Sequence, residues 1–251
     1  MAENLSIINP QDENLENNAA DYAAFFVKLF ANCVPIIGSQ LAEVFGAVIP
    51  NQKAERAARF IIILNDRLKY VEDDVLKLKM KTEEFTDLLE DGFIFASRAL
   101  NDERRIYIAN LLKNSLTSDE LNHIEKKKLL SLLNDLNDAE VITLEYNSIL
   151  YPEQRKEFGE RHESLFAPIV RAQRSPQENH DRGALRDSFR VKLIELNLLT
   201  PVYKSVKKGE VPEFDEKTGR LKSSSFKVTA LGKLLLRYIS DDSSIEFTTG
   251  D

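Results

Sequence analysis

Apolar and polar positions along the chain fall into blocks with different periods. Residues 1–17 are polar and rich in asparagine (Asn4, Asn9, Asn14, Asn17), which predicts a loose arm. From Ala19 to Ile49 the character reverses, and AADYAAFFVKLFANCVPIIGSQLAEVFGAVI carries only three charges, Asp21, Lys28 and Glu43. Pro35 lacks an amide hydrogen and Gly38 is a weak helix former. The stretch therefore reads as two short helices, about 18–33 and 38–48, joined by a tight corner.

Pro50 resets the chain. Beyond it Ala54, Ala57, Ile61, Leu64, Leu68, Val71, Val75 and Leu78 recur at alternating spacings of three and four. Such an a/d seam, with Arg56, Arg59, Lys69, Asp73 and Lys77 on other faces, predicts one long helix. The seam from Ile61 through Leu64, Leu68, Val71 and Val75 to Leu78 has two readings, packing on the chain's own helices or assembly into a homo-oligomer.

Four shorter helices follow. One, about 83–100, places Phe85, Leu88, Leu89, Phe93 and Ala96 on a broad apolar face. Asn101 with Asp102 and Glu103 opens the next, continued by Ile108, Leu111, Leu112 and Leu116. Thr117 and Glu120 have capping-box spacing before Leu121, Ile124, Leu129, Leu132, Leu133 and Leu136, and Asn137 and Glu140 repeat the signal.

After about residue 150 the pattern loosens. Pro152, Gly159, Pro168 and Pro176 punctuate residues 151–181, within which Leu165, Phe166, Ile169 and Val170 predict a short buried helix. A helix DRGALRDSFRVKLIELNLL comes next, then an extended TPVYKSV, a polar loop, a returning SSFKV, and a last helix capped by Thr229. Helix, strand, basic loop, strand, helix is the order of a winged-helix module.

Charge sharpens this division. The 251 residues carry a net charge of −7, but residues 1–170 hold −10, residues 171–237 hold +7, and the last fourteen residues add −4. Within the basic part, Arg182, Arg186 and Arg190 lie four apart on one helical stripe beside Leu185, Phe189, Leu193 and Leu196. The loop adds Lys207, Lys208, Lys217, Arg220 and Lys222. These arginines and lysines are the candidate residues for binding a nucleic acid or a protein partner, since phosphate contacts release counterions. Low Gly and Pro counts, 9 and 8, favour helices over a many-turned β architecture, and the lone Cys33 excludes an intramolecular disulfide.

Two resemblances rest on particular stretches. IELNLLTPV followed by FKVTALGKLLLRYI resembles the ending of many bacterial winged-helix proteins, with Asn197 where a glycine is usual. That resemblance implies DNA binding, or the protein contacts for which winged helices also serve. IYIANLLKNSL, LNHIEKKKLLSLLNDLNDAEVITLEY and LNLLTPV…VTALGKLLL resemble, in their order, the bacterial abortive-infection alpha family. The match is architectural, and Asn122-His123-Ile124 stands where a His-Pro pair is expected. It implies a role in phage defence and carries over no catalytic residues.

Catalytic signals are missing from the sequence. His123, His162 and His180 are far apart, and no H-E-x-x-H, C-x-x-C, phosphate-binding glycine loop or nucleophile elbow occurs. Acidic runs such as Glu72-Asp73-Asp74 point around a helix rather than at one ion. We therefore read no enzyme, no cofactor and no metal site. The expected fold is mainly α. A helical bundle spans 18–150, a connecting region 151–181, a winged-helix-like module 182–240 and an acidic tail 241–251.

The expected function is non-enzymatic phage defence, with Phe25, Phe26, Phe30 and Phe45 as candidates for membrane insertion. Asp21, Lys28 and Glu43, costly at a bilayer centre, favour a bundle core instead. A DNA-binding regulator and a helical scaffold are the alternatives. The polar start lacks a secretory signal and predicts a cytoplasmic protein, with membrane association as the alternative.

Overall fold

The computed structural model describes residues 51–241 except 80, 81, 171, 173, 207, 208, 210, 215–218 and 220. The apolar pair 18–33 and 38–48, with Phe25, Phe26, Phe30 and Phe45, lies outside the described residues, as do Lys207, Lys208, Lys217 and Arg220. Among the described residues the fold is mainly helical with one two-stranded antiparallel sheet. The described residues divide into two compact units, one up to Lys127 and one from Lys128, and the division falls inside the helix His123–Asp135.

In the first unit, α1 (Asn51–Leu68), α2 (Asp73–Lys79), α3 (Glu83–Arg98) and α4 (Asp102–Thr117) pack together, with α1 and α3 both against α4. Ala57, Phe60, Ile61 and Leu64 on α1 meet a core that includes Phe93 and Leu112, and the Phe60 and Phe93 rings sit edge to face at 6.2 Å. The predicted seam thus runs into the interior through Ile61, Leu64, Leu68 and Val71, whereas Leu78 is 73 % exposed.

The single long helix is corrected to two. Val71 N–H donates to the Leu68 carbonyl in a tight turn, and Glu72, Asp73 and Asp74 then crowd the start of α2. Three successive carboxylates are stabilised at a helix amino terminus and disfavoured within a continuous helix. Asn101 caps α4 as the spacing predicts, its side chain accepting from Arg104 N–H at 2.8 Å.

The capping box before α5 (His123–Asp135) is also corrected. Thr117 ends α4, where its hydroxyl donates back to the Lys113 carbonyl. The reciprocal pair is instead Asn122 and Glu125: Asn122 Oδ1 accepts from Glu125 N–H at 3.0 Å and the Glu125 carboxylate from Asn122 N–H at 2.8 Å. With the helix starting five residues later, Ile124 turns outward and is exposed, not buried.

The second unit is built around α6 (Asp138–Ser148), which packs on α9 (Gln177–Glu195), on β2 (Ser223–Val228) and on α10 (Ala230–Ile239). The composition change near residue 150 thus falls within this unit, not at its edge. Asn137 and Glu140 form the expected box at its start, with bonds of 2.9 and 2.8 Å. Two short helices, α7 (Pro152–Arg161) and α8 (Glu163–Phe166), lie between. Phe166 stacks on Tyr146 at 4.2 Å. The predicted buried helix over 165–170 shrinks to α8, because Pro168 breaks it, and Val170 is exposed.

β1 (Leu199–Tyr203) pairs with β2 from Leu199 opposite Val228 to Tyr203 opposite Ser223, so helix, strand, loop, strand, helix is the observed order. Asn197 takes the left-handed conformation, φ 57°, that an L residue adopts only at a cost. Leu198 N–H donates to the Leu193 carbonyl at 2.8 Å and Asn197 N–H to that of Ile194 at 2.9 Å, closing α9 with a Schellman motif. Thr229 reaches back, its hydroxyl donating to the Asn197 carbonyl at 2.6 Å while accepting from Gly232 N–H at 3.0 Å. A Cβ on Gly232 would lie 2.3 Å from the Leu198 carbonyl oxygen, so only glycine lets α10 come this close.

Candidate functional site

The candidate site lies along α9 in the second unit. Residues 163–169 run beside this helix and leave an open groove of about 570 Å³. Its lining combines apolar Leu165, Ile169, Leu185 and Phe189 with Arg182, Arg186 and Glu163. Stacking of Phe166 on Tyr146 anchors the 163–169 wall, and Arg186 Nη1 ties that wall to α9 by donating to the Ala167 carbonyl at 2.9 Å. Leu185 remains 60 % exposed.

The arginine stripe is present, but its members have different surroundings. Arg182 Nη1 lies 3.6 Å from Glu178, with both side chains largely exposed. Arg186 is engaged with the wall, and Arg190 lies 3.3 Å from Asp187 with its guanidinium 5.7 Å from the centre of the Phe226 ring. Asp181 is exposed on the same turns. Lys222, the described lysine of the candidate set, lies 3.8 Å from Glu213, which also receives Lys204 at 3.7 Å. The expected apolar neighbours split likewise: Leu193 is buried, Phe189 and Leu196 are half-buried, and Leu185 faces out.

Exposed apolar groups also mark the loop between the strands. Val206, Val211, Phe214 and Leu221 all stand in solvent, with Val211 81 % exposed. The charge pattern singles out only Lys207, Lys208, Lys217, Arg220 and Lys222 in this loop. The alternation V-x-x-x-x-V-P-x-F around the lysines was the signal available for it.

A smaller cavity, about 220 Å³, lies in the first unit and is lined by Lys79, Phe85, Leu116, Asp119, His123 and Lys126. Its charges serve each other. Lys79 pairs with Asp119, and Lys126 Nζ closes α4 by donating to the Ser115 and Ser118 carbonyls at 2.7 and 2.9 Å. Burial, and then the neighbouring Lys79, pull the Lys126 ammonium below its usual range. Beside it Asp87 receives Lys127 at 2.7 Å and His123 at 2.8 Å, and Lys127 also reaches Asp91 at 2.9 Å. The Lys127 hydrogen bond, reinforced by His123, holds the Asp87 carboxyl below the ordinary carboxylate range.

Among the described residues no group of three or more His, Cys, Asp or Glu side chains converges on a metal position, and no helix is long and apolar enough to cross a membrane. Comparison of the chain with protein-family models, with curated proteins and with solved structures finds no match.

Proposed function

We propose that this chain is a non-enzymatic binding protein whose second unit receives an acidic, partly apolar peptide segment of a partner protein in the groove beside α9. The observation that carries this reading is the meeting of an exposed leucine and other apolar side chains with two arginines in the lining of one open groove. Apolar side chains of the peptide would take the area left uncovered at Leu185, and carboxylates would meet Arg182. The resemblance to the abortive-infection alpha family adds a setting, bacterial phage defence, in which such docking would sense a phage or host protein.

Duplex DNA is the competing occupant. Binding to phosphate gains from unopposed cations. Glu178, Asp181 and Asp187 lie among the arginines of α9 and favour a mixed, peptide-like partner.

Fluorescence anisotropy with a labelled acidic peptide bearing two bulky apolar side chains tests the reading. Saturable binding that is lost in Arg182→Glu and in Leu185→Ser supports it. Salt-sensitive binding of duplex DNA, with no peptide binding, overturns it in favour of the regulator. Plaque counts on expressing cells test the setting separately, and unchanged plaque numbers remove phage defence from the proposal.

A further inference from the structure

In the smaller cavity of the first unit, about 220 Å³, two polar side chains keep bonding capacity that their neighbours do not use. Ser115 lines the cavity and is buried, and its hydroxyl meets no hydrogen-bond partner among the described residues. Hydroxyls in helices commonly return to a carbonyl three or four residues back. Ser97 and Thr117 do so, donating to the Ile94 and Lys113 carbonyls. Ser115 does not. Lys126, also in the lining, has three N–H donors and gives two of them to the Ser115 and Ser118 carbonyls at 2.7 and 2.9 Å. Its third finds no acceptor among the described residues. Phe85, Leu88 and Leu116 supply a buried apolar part of the same lining. We propose that this cavity binds a small organic monocarboxylate, its carboxylate received by Ser115 and Lys126 and its short apolar body by Phe85, Leu88 and Leu116.

The donor set selects the charge of the occupant. A hydroxyl and an ammonium N–H both donate, and hydrogen bonds to an ionised acceptor are the stronger kind. Burial and then Lys79 disfavour the charge on Lys126, and Asp119 favours it less than either opposes it. An anion beside Lys126 offsets that repulsion. The lining's own carboxylates do not fill this role: Asp119 is bound to Lys79 and largely exposed, and Glu84 is exposed, so water screens both. Volume sets the size. At about 30 Å³ for each water-sized group, the cavity takes about seven or eight non-hydrogen atoms, the size of a branched short-chain acid. A second charge on the ligand would lie against buried Phe85 and Leu88, where it would lose its hydration without a partner. This site is independent of the peptide reading of α9, since every residue of its lining belongs to the first unit.

Isothermal titration calorimetry of the full chain with isocaproate, isocaproamide, acetate and leucine tests the proposal. Isocaproate should bind saturably. The amide keeps the shape and loses the charge, while acetate keeps the charge and loses the apolar body. Each should bind at least about tenfold more weakly. Ser115→Ala should weaken isocaproate at least about tenfold as well. In the free protein the same substitution should leave the urea midpoint unchanged or raise it, because no hydrogen bond is broken. Lys126→Met should abolish binding, with circular dichroism to check its fold. Should that variant unfold, Ser115→Ala and the amide decide. Equal binding of isocaproate by Ser115→Ala and the unaltered chain overturns the proposal, as does equal binding of acid and amide. So does the absence of saturable binding. A fall in the urea midpoint of free Ser115→Ala also overturns it, since the hydroxyl would then already have a partner. Leucine binding more tightly than isocaproate, with that gain lost in Glu84→Gln, overturns the monocarboxylate in favour of an α-amino acid.

Discussion

Helices α4 and α9 are similar in length and opposite in use. Ten of the sixteen residues of α4 are buried, against two of the nineteen of α9, so the first is a core element and the second a presented one. Their sequences show why. From Ile108 to Leu116 apolar residues cover more than one face of α4, and even Asn110, Lys113, Asn114 and Ser115 are drawn inside. Arg105 is enclosed too, its guanidinium donating to the Ala99 carbonyl at 2.8 Å and pairing with Asp102. Helix α9 carries charge on every turn and keeps only Gly183 and Leu193 inside. Stability is concentrated in the first pattern and accessible chemistry in the second.

The strongest challenge to this contrast is a matched pair of truncations. Leu112→Ala should cost about 3–5 kcal/mol of unfolding free energy in urea, because a fully buried leucine leaves a cavity. Leu185→Ala should cost no more than about 0.5 kcal/mol, as an exposed site does. Similar losses at both positions would show that α9 is covered, and the contrast would fail. Next in size is Gly232→Ala, where the new Cβ meets the Leu198 carbonyl and α10 must shift. A loss of about 3 kcal/mol is expected in thermal melts of the second unit.

Asn197 gives a finer test. Asn197→Gly should be neutral within about 0.5 kcal/mol, while Asn197→Val should cost about 2 kcal/mol at a left-handed position. Equal effects would mean that the Schellman turn is not what ends α9. The smallest effect belongs to the surface of the first unit. The folded state lowers the Asp87 pKa, so its stabilisation is present above the unfolded carboxylate pKa and is lost as pH falls through the folded value. Asp87→Asn should cost within about 1 kcal/mol at neutral pH and flatten the acid limb of stability below about pH 4. An unchanged acid limb would remove Asp87 as its source.

Local signals with one possible partner were legible from the sequence. Asn101, the Asn137–Glu140 box and Thr229 cap helices where their spacing predicts, and the strand–loop–strand order of the second unit is present. Where two signals competed, spacing alone did not choose. Thr117–Glu120 and Asn122–Glu125 both have box spacing, and the choice went to the pair not already inside α4. The a/d seam predicted one helix, while three adjacent carboxylates favoured a new amino terminus. The arginine stripe of α9 was visible, but the groove was not, because its second wall comes from residues 163–169 and depends on the stacking of Phe166 on Tyr146.

The lock formed by Asn197, Leu198, Thr229 and Gly232 has a consequence for how this protein can change. It fastens both ends of the strand pair at its base, on the side away from the loop beyond Tyr203. Each doubling of that loop would cost only about 0.6 kcal/mol of closure entropy. Gly209, already at φ 97° with open space around it, is a natural place to insert residues. Selection, or an engineer, could therefore rewrite the loop's length and contacts freely while leaving the base untouched.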